Sequence, residues 1–288
     1  MDASDLIKRV RRIEIKTRGL SQHIFSGEYH SAFKGKGMAF SEVREYQYGD
    51  DVRNIDWNVT ARFNHPYIKI FEEERELTVM LLVDVSGSRE FGSHNLLKKN
   101  LITEISAVLS FSAINNNDKI GVIMFSDKIE KFISPQKGRQ HILRIIRELI
   151  DFKPESRGTN LSEVLRYLTN TIKKRATVFL LSDFIDTDYE DALKIASRKH
   201  DLIALNIADE REYELPPIGM VRMKDAESGK MLWVNTNSRK VREAYKQNYT
   251  DRTAYAKQLF KKHGVDTADI ATHEDYVKPL MNLFKKRI

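Results

Sequence analysis

Apolar runs and amphipathic stretches alternate along most of this chain. From residue 77 onward, six short runs read as strands: Leu77–Val83, Lys119–Phe125, Ile129–Ile133, Thr177–Leu181, Leu202–Ile207 and Val265–Ile270. Between them, apolar positions at three- and four-residue spacing predict helices over 95–115, 139–150, 161–174, 188–199, 239–263 and 274–286. Apolar strands separated by amphipathic helices imply a mostly parallel sheet covered on both faces, a doubly wound α/β fold. The Ile129–Ile133 run follows its predecessor too closely for a crossover, so it is expected to form an antiparallel edge hairpin. Residues 219–235 read as a second, inserted hairpin that turns near Glu227–Lys230.

The first 76 residues have a different texture. Over 3–18, Leu6, Ile7, Val10, Ile13 and Ile15 are spaced as in a helix and are surrounded by Lys and Arg. Such a basic amphipathic helix reads as a docking helix with a solvated face, with peripheral membrane contact as its other use. Residues 25–75 are rich in Gly and aromatics and read as a small, partly β element, notably at Tyr67–Phe71. The expected organisation is a helix plus β region over 1–76 and a sheet domain over 77–288.

Composition narrows the field. With 41% hydrophobic and 31% charged residues, the chain is globular rather than disordered. It is long enough, at 288 residues, to bury a sizeable core. The net charge of +7 is spread over many residues and points only weakly to an acidic partner. The absence of cysteine excludes disulfide frameworks, thiolate metal sites and thiol catalysis. No apolar signal core occurs near the N-terminus, and the stretch Leu101–Ile114 is too short and too polar to span a bilayer. A cytoplasmic location without a transmembrane segment is the expectation.

Candidate chemistry sits at the strand ends. The run Val79–Val83 leads into Asp84-Val-Ser86-Gly-Ser88, and the run Thr177–Leu181 leads to Asp183. Between them, Gly158-Thr159-Asn160 precedes a predicted helix. Two carboxylates and three hydroxyls form an oxygen-only set, which suits a hard cation such as Mg²⁺. Open parallel sheets bind ligands outside the carboxyl ends of their strands, where the strand order reverses. If Asp84 and Asp183 end neighbouring strands there, they face one crevice.

Asp84-x-Ser86-x-Ser88, Thr159 and Asp183, in this order, resemble the metal-ion-dependent adhesion site of von Willebrand factor type A domains. The resemblance covers residues 77–210. It implies Mg²⁺ or Mn²⁺ held by Ser86, Ser88 and Thr159, with Asp84 and Asp183 binding directly or through water. It also implies a protein partner whose Asp or Glu carboxylate completes the shell. Further upstream, Gly35-Lys-Gly-Met-Ala-Phe40, Arg44-Glu-Tyr46, Gly49-Asp-Asp-Val-Arg-Asn-Ile-Asp-Trp57 and Ala61-Arg62 resemble the bacterial family called domain of unknown function fifty-eight, in its short, soluble form. That resemblance covers nearly the whole chain. It implies association with a MoxR-type AAA+ ATPase or with other A-domain proteins, and an adaptor or assembly role.

Within that signature, Asp50, Asp51, Arg53, Asp56 and Arg62 read as a charged network that folds the β element and fixes it to the sheet domain, with Trp57 packed beneath it. The alternative is a partner-binding surface. Two further readings of the whole chain stand beside the interaction module. One is a metal-dependent phosphohydrolase built on Asp183-Phe-Ile-Asp186-Thr-Asp188, although no general base or nucleophile is identifiable. In the simpler reading of that segment, Asp186 or Asp188 caps the helix over 188–199. The other is a nucleic-acid module using the basic termini, although no binding motif interleaves them with aromatics. Neither a P-loop nor a nucleophile elbow is present. The expectation is a protein without catalytic activity that does not bind nucleic acid.

Overall fold

A computed structural model describes residue 8, residues 11–14, 17 and 20, and residues 37–74, 77–90, 97–224 and 229–287. Contacts divide the chain into two units, one formed by residues 34–76 and the other by residues 1–33 with 77–288.

In the larger unit, six strands form one sheet: β3 (Thr78–Asp84), β4 (Lys119–Phe125), β5 (Ile129–Gln136), β6 (Thr177–Ser182), β7 (Asp201–Ala208) and β10 (Asp266–Ala271). Their order is β10-β7-β6-β3-β4-β5, parallel throughout except for β5, which pairs antiparallel with β4. The expected doubly wound sheet and its antiparallel edge are therefore present. Gly121 in β4 has a structural reason. A Cβ there would lie 2.9 Å from the Ile133 carbonyl oxygen of β5, where the register shifts.

Side chains of β3 alternate between two cores. Val79, Leu81 and Val83 join one core with apolar residues of α2 (Lys98–Asn115), α3 (Arg139–Asp151) and α8 (Val277–Lys285). Met80 and Leu82 join the other with α4 (Leu161–Thr171), α5 (Glu190–Lys199) and the C-terminal end of α7 (Arg239–Lys262). The period of two along a strand buried on both faces makes β3 apolar without a break from Val79 to Val83.

The N-terminal helical residues Lys8, Arg11–Glu14, Thr17 and Leu20 belong to this larger unit, not to the signature region with which the sequence groups them. Ile13 is buried in the first core, and Glu14 pairs with Arg139 at 2.5 Å. The inserted hairpin is β8 (Met220–Lys224) and β9 (Met231–Asn235), and its turn residues 225–228 lie outside the described residues. A four-residue helix not foreseen in the sequence, α6 (Glu210–Tyr213), follows β7.

The smaller unit pairs β1 (Gly37–Glu45) antiparallel with β2 (Tyr67–Glu74). A 3-10 turn, Val52–Asn54, and the helix α1 (Trp57–Phe63) lie between them in the chain. No helix among the described residues is long and apolar enough to cross a membrane.

Candidate functional site

Strand order decides which loops meet. The chain leaves β3 toward β4 on one side, and β6 later pairs on the other side of β3. The reversal therefore falls between β3 and β6, and both strands end there in acidic loops. Ser182, the last residue of β6, donates from its hydroxyl to Asp84 Oδ2 at 2.6 Å. Asp183 is the next residue. The two carboxylates thus end adjacent parallel strands, as anticipated.

The Asp84–Ser88 loop is a turn built on its own carboxylate. The Ser86 N–H donates to Asp84 Oδ1 at 2.9 Å, and the Ser86 and Ser88 hydroxyl oxygens lie 3.1 Å apart. Asp84 and Ser86 are buried. The Gly87 N–H donates to the Arg157 carbonyl at 2.9 Å, which ties this loop to the segment carrying Thr159. At the other end of that segment, the Leu161 N–H donates to Asp186 Oδ2 at 2.7 Å. The three loops are therefore fastened to one another. Asp186 caps α4, not the helix after it, and α5 begins at Glu190 without a side-chain cap. This corrects the assignment of Asp186 or Asp188 to that following helix. The reason is spatial: Asp186 reaches back to the first N–H of α4, beside the Asn160 cap that accepts the Glu163 N–H.

Thr159 stands apart from the other hydroxyls. Its Oγ1 is buried and has no hydrogen-bond partner. A buried, unpaired hydroxyl is costly, and natural structures keep few of them. Two carboxylates and three hydroxyls, one of them unsatisfied, suit a small divalent cation. Among the described residues there is no group of three or more His, Asp or Glu arranged to hold a metal, so any metal here depends on the hydroxyl oxygens.

Two residues with no place in the motif complete the site. Lys98, at the start of α2, is 2% exposed. Its ammonium lies 3.0 Å from Asp183 Oδ2 and also contacts Glu212 of α6. Glu212 is held in turn by a capping box, its carboxylate accepting the Asp209 N–H at 3.0 Å. In sequence, Lys98 reads as a surface lysine. The available signal was its position three and four residues before Leu101 and Ile102, on a helix buried nearly all round.

The electrostatics follow from burial and neighbours. Burial pushes the Asp84 carboxyl up to about 6, and the Asp183 charge adds to that. Burial acts the same way on Asp183, but the Lys98 charge and hydrogen bonds from Ser88, Lys98 and the Ile185 N–H outweigh it. Asp183 is therefore held below the ordinary carboxylate range. Burial raises Glu212 against the opposing pull of Lys98. Lys98 itself is raised, because its two carboxylates overcome burial. The backbone just after Asp183 is unusual. Phe184 has a φ of 54°, rare for a bulky residue, and its buried ring packs edge-on against Phe260 with centroids 4.8 Å apart.

The upstream signature behaves differently. Asp50 forms a two-bond ion pair with Arg44 at 2.8 and 2.9 Å and accepts the Gln47 N–H. Asp51 caps the 3-10 turn and pairs with Arg53. Asp56 caps α1 through the Asn58 and Val59 N–H groups and lies 3.5 Å from Lys69. Each carboxylate thus folds its own neighbourhood. Trp57 is not packed beneath the network as expected. It is 70% exposed, because capping by Asp56 makes it the first residue of α1, and Val59 and Thr60 are the half-buried residues of that helix. Arg62 is exposed.

With the geometry described, comparison with known proteins places the chain. The Rv1480 protein of Mycobacterium tuberculosis is 28% identical over 232 residues, which are 80% of this chain and 73% of that protein. YeaD of Bacillus subtilis is 30% identical over 110 residues, which are 38% of this chain and 25% of YeaD. Among solved structures, the conserved hypothetical protein BatB from Bacteroides thetaiotaomicron shares the fold with a TM-score of 0.51 at 14% identity, covering 73% of this chain and 98% of BatB. The SpRpn10 von Willebrand factor A domain matches with a TM-score of 0.39 at 10% identity, over 73% of this chain and 95% of that domain. The model of the family described as protein of unknown function DUF58 matches residues 42–255, well over half of the sequence, and the chain belongs to that family.

Proposed function

We propose that this protein is a divalent-metal-dependent protein-interaction module without catalytic activity. The observation that carries this reading is the unpaired, buried Thr159 hydroxyl in a loop tied to both the Asp84–Ser88 and the Asp183 loops. In this reading Ser86, Ser88 and Thr159 present hydroxyl oxygens, and Asp84 and Asp183 supply negative charge directly or through water. Mg²⁺ or Mn²⁺, when bound, supplies an open position for an Asp or Glu carboxylate of a protein partner. The chain's own part is to hold the oxygens in place through the Ser182–Asp84 and Gly87–Arg157 hydrogen bonds and to exclude water from one side of the crevice. The unpaired Thr159 hydroxyl has no base bonded to it, which favours recognition over phosphoester hydrolysis.

The partner class named by the family resemblance is a MoxR-type AAA+ ATPase or another A-domain protein, with this chain as adaptor or assembly factor in the cytoplasm. A pull-down with tagged chain from native lysate tests the reading, run in Mg²⁺, in EDTA and with Asp84→Ala. A partner retained only by the unaltered chain in Mg²⁺ supports metal-bridged recognition. Equal retention under all three conditions overturns it. Turnover of phosphoesters that is lost in Asp84→Ala would instead establish the hydrolase.

A further inference from the structure

We infer that Lys98 is a built-in competitor of the metal ion, an internal cation whose sharing between Asp183 and Glu212 sets how tightly the crevice holds a divalent ion. This deepens the proposed function and rests on it. The ammonium is almost fully buried and is bonded to a carboxylate of the candidate ligand set. A cation in that place does two things to a divalent ion beside it. It occupies Asp183 Oδ2, and it repels the ion through a medium that screens poorly. The other Asp183 oxygen is also engaged, accepting the Ile185 N–H at 3.3 Å. Asp183 therefore meets a metal through a water or through Ser88 unless Lys98 lets go.

Glu212 provides the means of letting go. It gives Lys98 a second carboxylate, on a helix that follows β7. The more Lys98 is held by Glu212, the more Asp183 is available to the ion. The pair, neutral as a whole, thus leaves the hold on the metal alone weak, and a carboxylate arriving with a partner supplies the negative charge that Lys98 takes from Asp183. The crevice is then suited to keeping its ion chiefly when a partner is present.

Two substitutions with opposite expected signs test this, with Mn²⁺ alone as the probe. Binding is followed by calorimetry and by the electron paramagnetic resonance signal of free Mn²⁺ on the full chain. The double variant Lys98→Met/Glu212→Gln removes one charge of each sign and leaves Asp183 without its ammonium, the state in which that carboxylate is open to the ion. It should bind Mn²⁺ about tenfold tighter than the unaltered chain, a coupling of ordinary size within one charge network. Glu212→Gln alone leaves Lys98 wholly to Asp183 and should weaken Mn²⁺ binding several-fold. A merely structural role for the pair would loosen the site in both variants and could not tighten it. Equal or weaker binding by the double variant, with Asp84-dependent uptake intact in the unaltered chain, overturns the inference and leaves the proposed function standing. If the double variant fails to fold, unchanged or tighter binding by Glu212→Gln overturns it. Absence of Asp84-dependent Mn²⁺ uptake in every form removes the proposed metal dependence, and the inference with it.

Discussion

The crevice between β3 and β6 and the signature around Gly49–Trp57 are both dense in Asp, yet they spend their polar groups in opposite ways. In the signature, Asp50, Asp51 and Asp56 each accept from groups close in sequence and finish a turn or a cap. Each is committed to the fold of its own segment. In the crevice, Asp84, Asp183 and Glu212 are bonded across long sequence distances, buried, and pushed away from their ordinary titration ranges. One hydroxyl, Thr159, is left unpaired. A motif whose charges are satisfied locally is architecture, and a motif that buries an unsatisfied group is poised for something else.

Position qualifies that lesson. His200 is also buried, at 1% exposure, with both ring nitrogens unpaired, yet it lies just before β7, at the sheet edge opposite the crevice. The charges that act on it there are those of Lys199 and Arg175. An orphaned group marks a site only where the topology also delivers donors.

The largest effect that would sharpen the comparison comes from Lys98→Met alone. It strands two buried carboxylates and should cost about 3–5 kcal/mol, read by chemical denaturation in chelator. A loss under 1 kcal/mol would mean that the crevice charges are as dispensable as surface pairs. Next comes the acid response of His200. Burial, with Lys199 and Arg175 nearby, lowers it to about 4. A base with a depressed folded pKa is harmless above its ordinary value of about 6.5 and destabilises as pH falls toward 4, by as much as about 3 kcal/mol. His200→Leu should flatten that part of the stability–pH profile, and an unchanged slope would assign the acid sensitivity elsewhere.

Asp84→Asn should act with the opposite sign. An acid whose folded pKa is raised to about 6 weakens the fold progressively as pH rises from about 4 through 6. Removing the charge relieves this, partly offset because Ser182 and the Ser86 N–H then face an amide donor. In chelator at pH 8 the variant should be about 1 kcal/mol more stable, with the gain vanishing below pH 4. Its Mn²⁺ uptake should be abolished. A stabilised variant that binds no metal is the expected mark of a residue kept for function.

Much of this was legible beforehand for a physical reason. A strand buried on both faces needs an unbroken apolar run, so Val79–Val83 and Thr177–Leu181 announce themselves, and the acidic residues after them fall at the carboxyl edge. Lys98 and Glu212 were not legible, because a buried lysine is written with the same letter as a surface one. Only its spacing from Leu101 and Ile102 on a helix buried nearly all round hints at it, and its partner sits in a four-residue helix with no periodicity to detect. Trp57 was misread because a large aromatic beside charged residues is usually a core residue. The cap geometry that turns it outward depends on which Asp starts the helix.

The smallest stability effect makes the last distinction, and it tests the signature rather than the crevice. With Trp57 70% exposed, Trp57→Ala should change global stability by no more than about 0.5 kcal/mol. Asp56→Ala, by contrast, removes the cap of α1 and should lower the melting temperature measurably while leaving Mn²⁺ uptake intact. If Trp57→Ala melts like the unaltered chain but loses the partner in the pull-down, the signature has two layers: local carboxylates that shape the turn, and an aromatic that the turn displays. If Trp57→Ala instead unfolds the unit as readily as Asp56→Ala does, the outward tryptophan is structural. The signature is then architecture alone, and recognition rests wholly on the crevice.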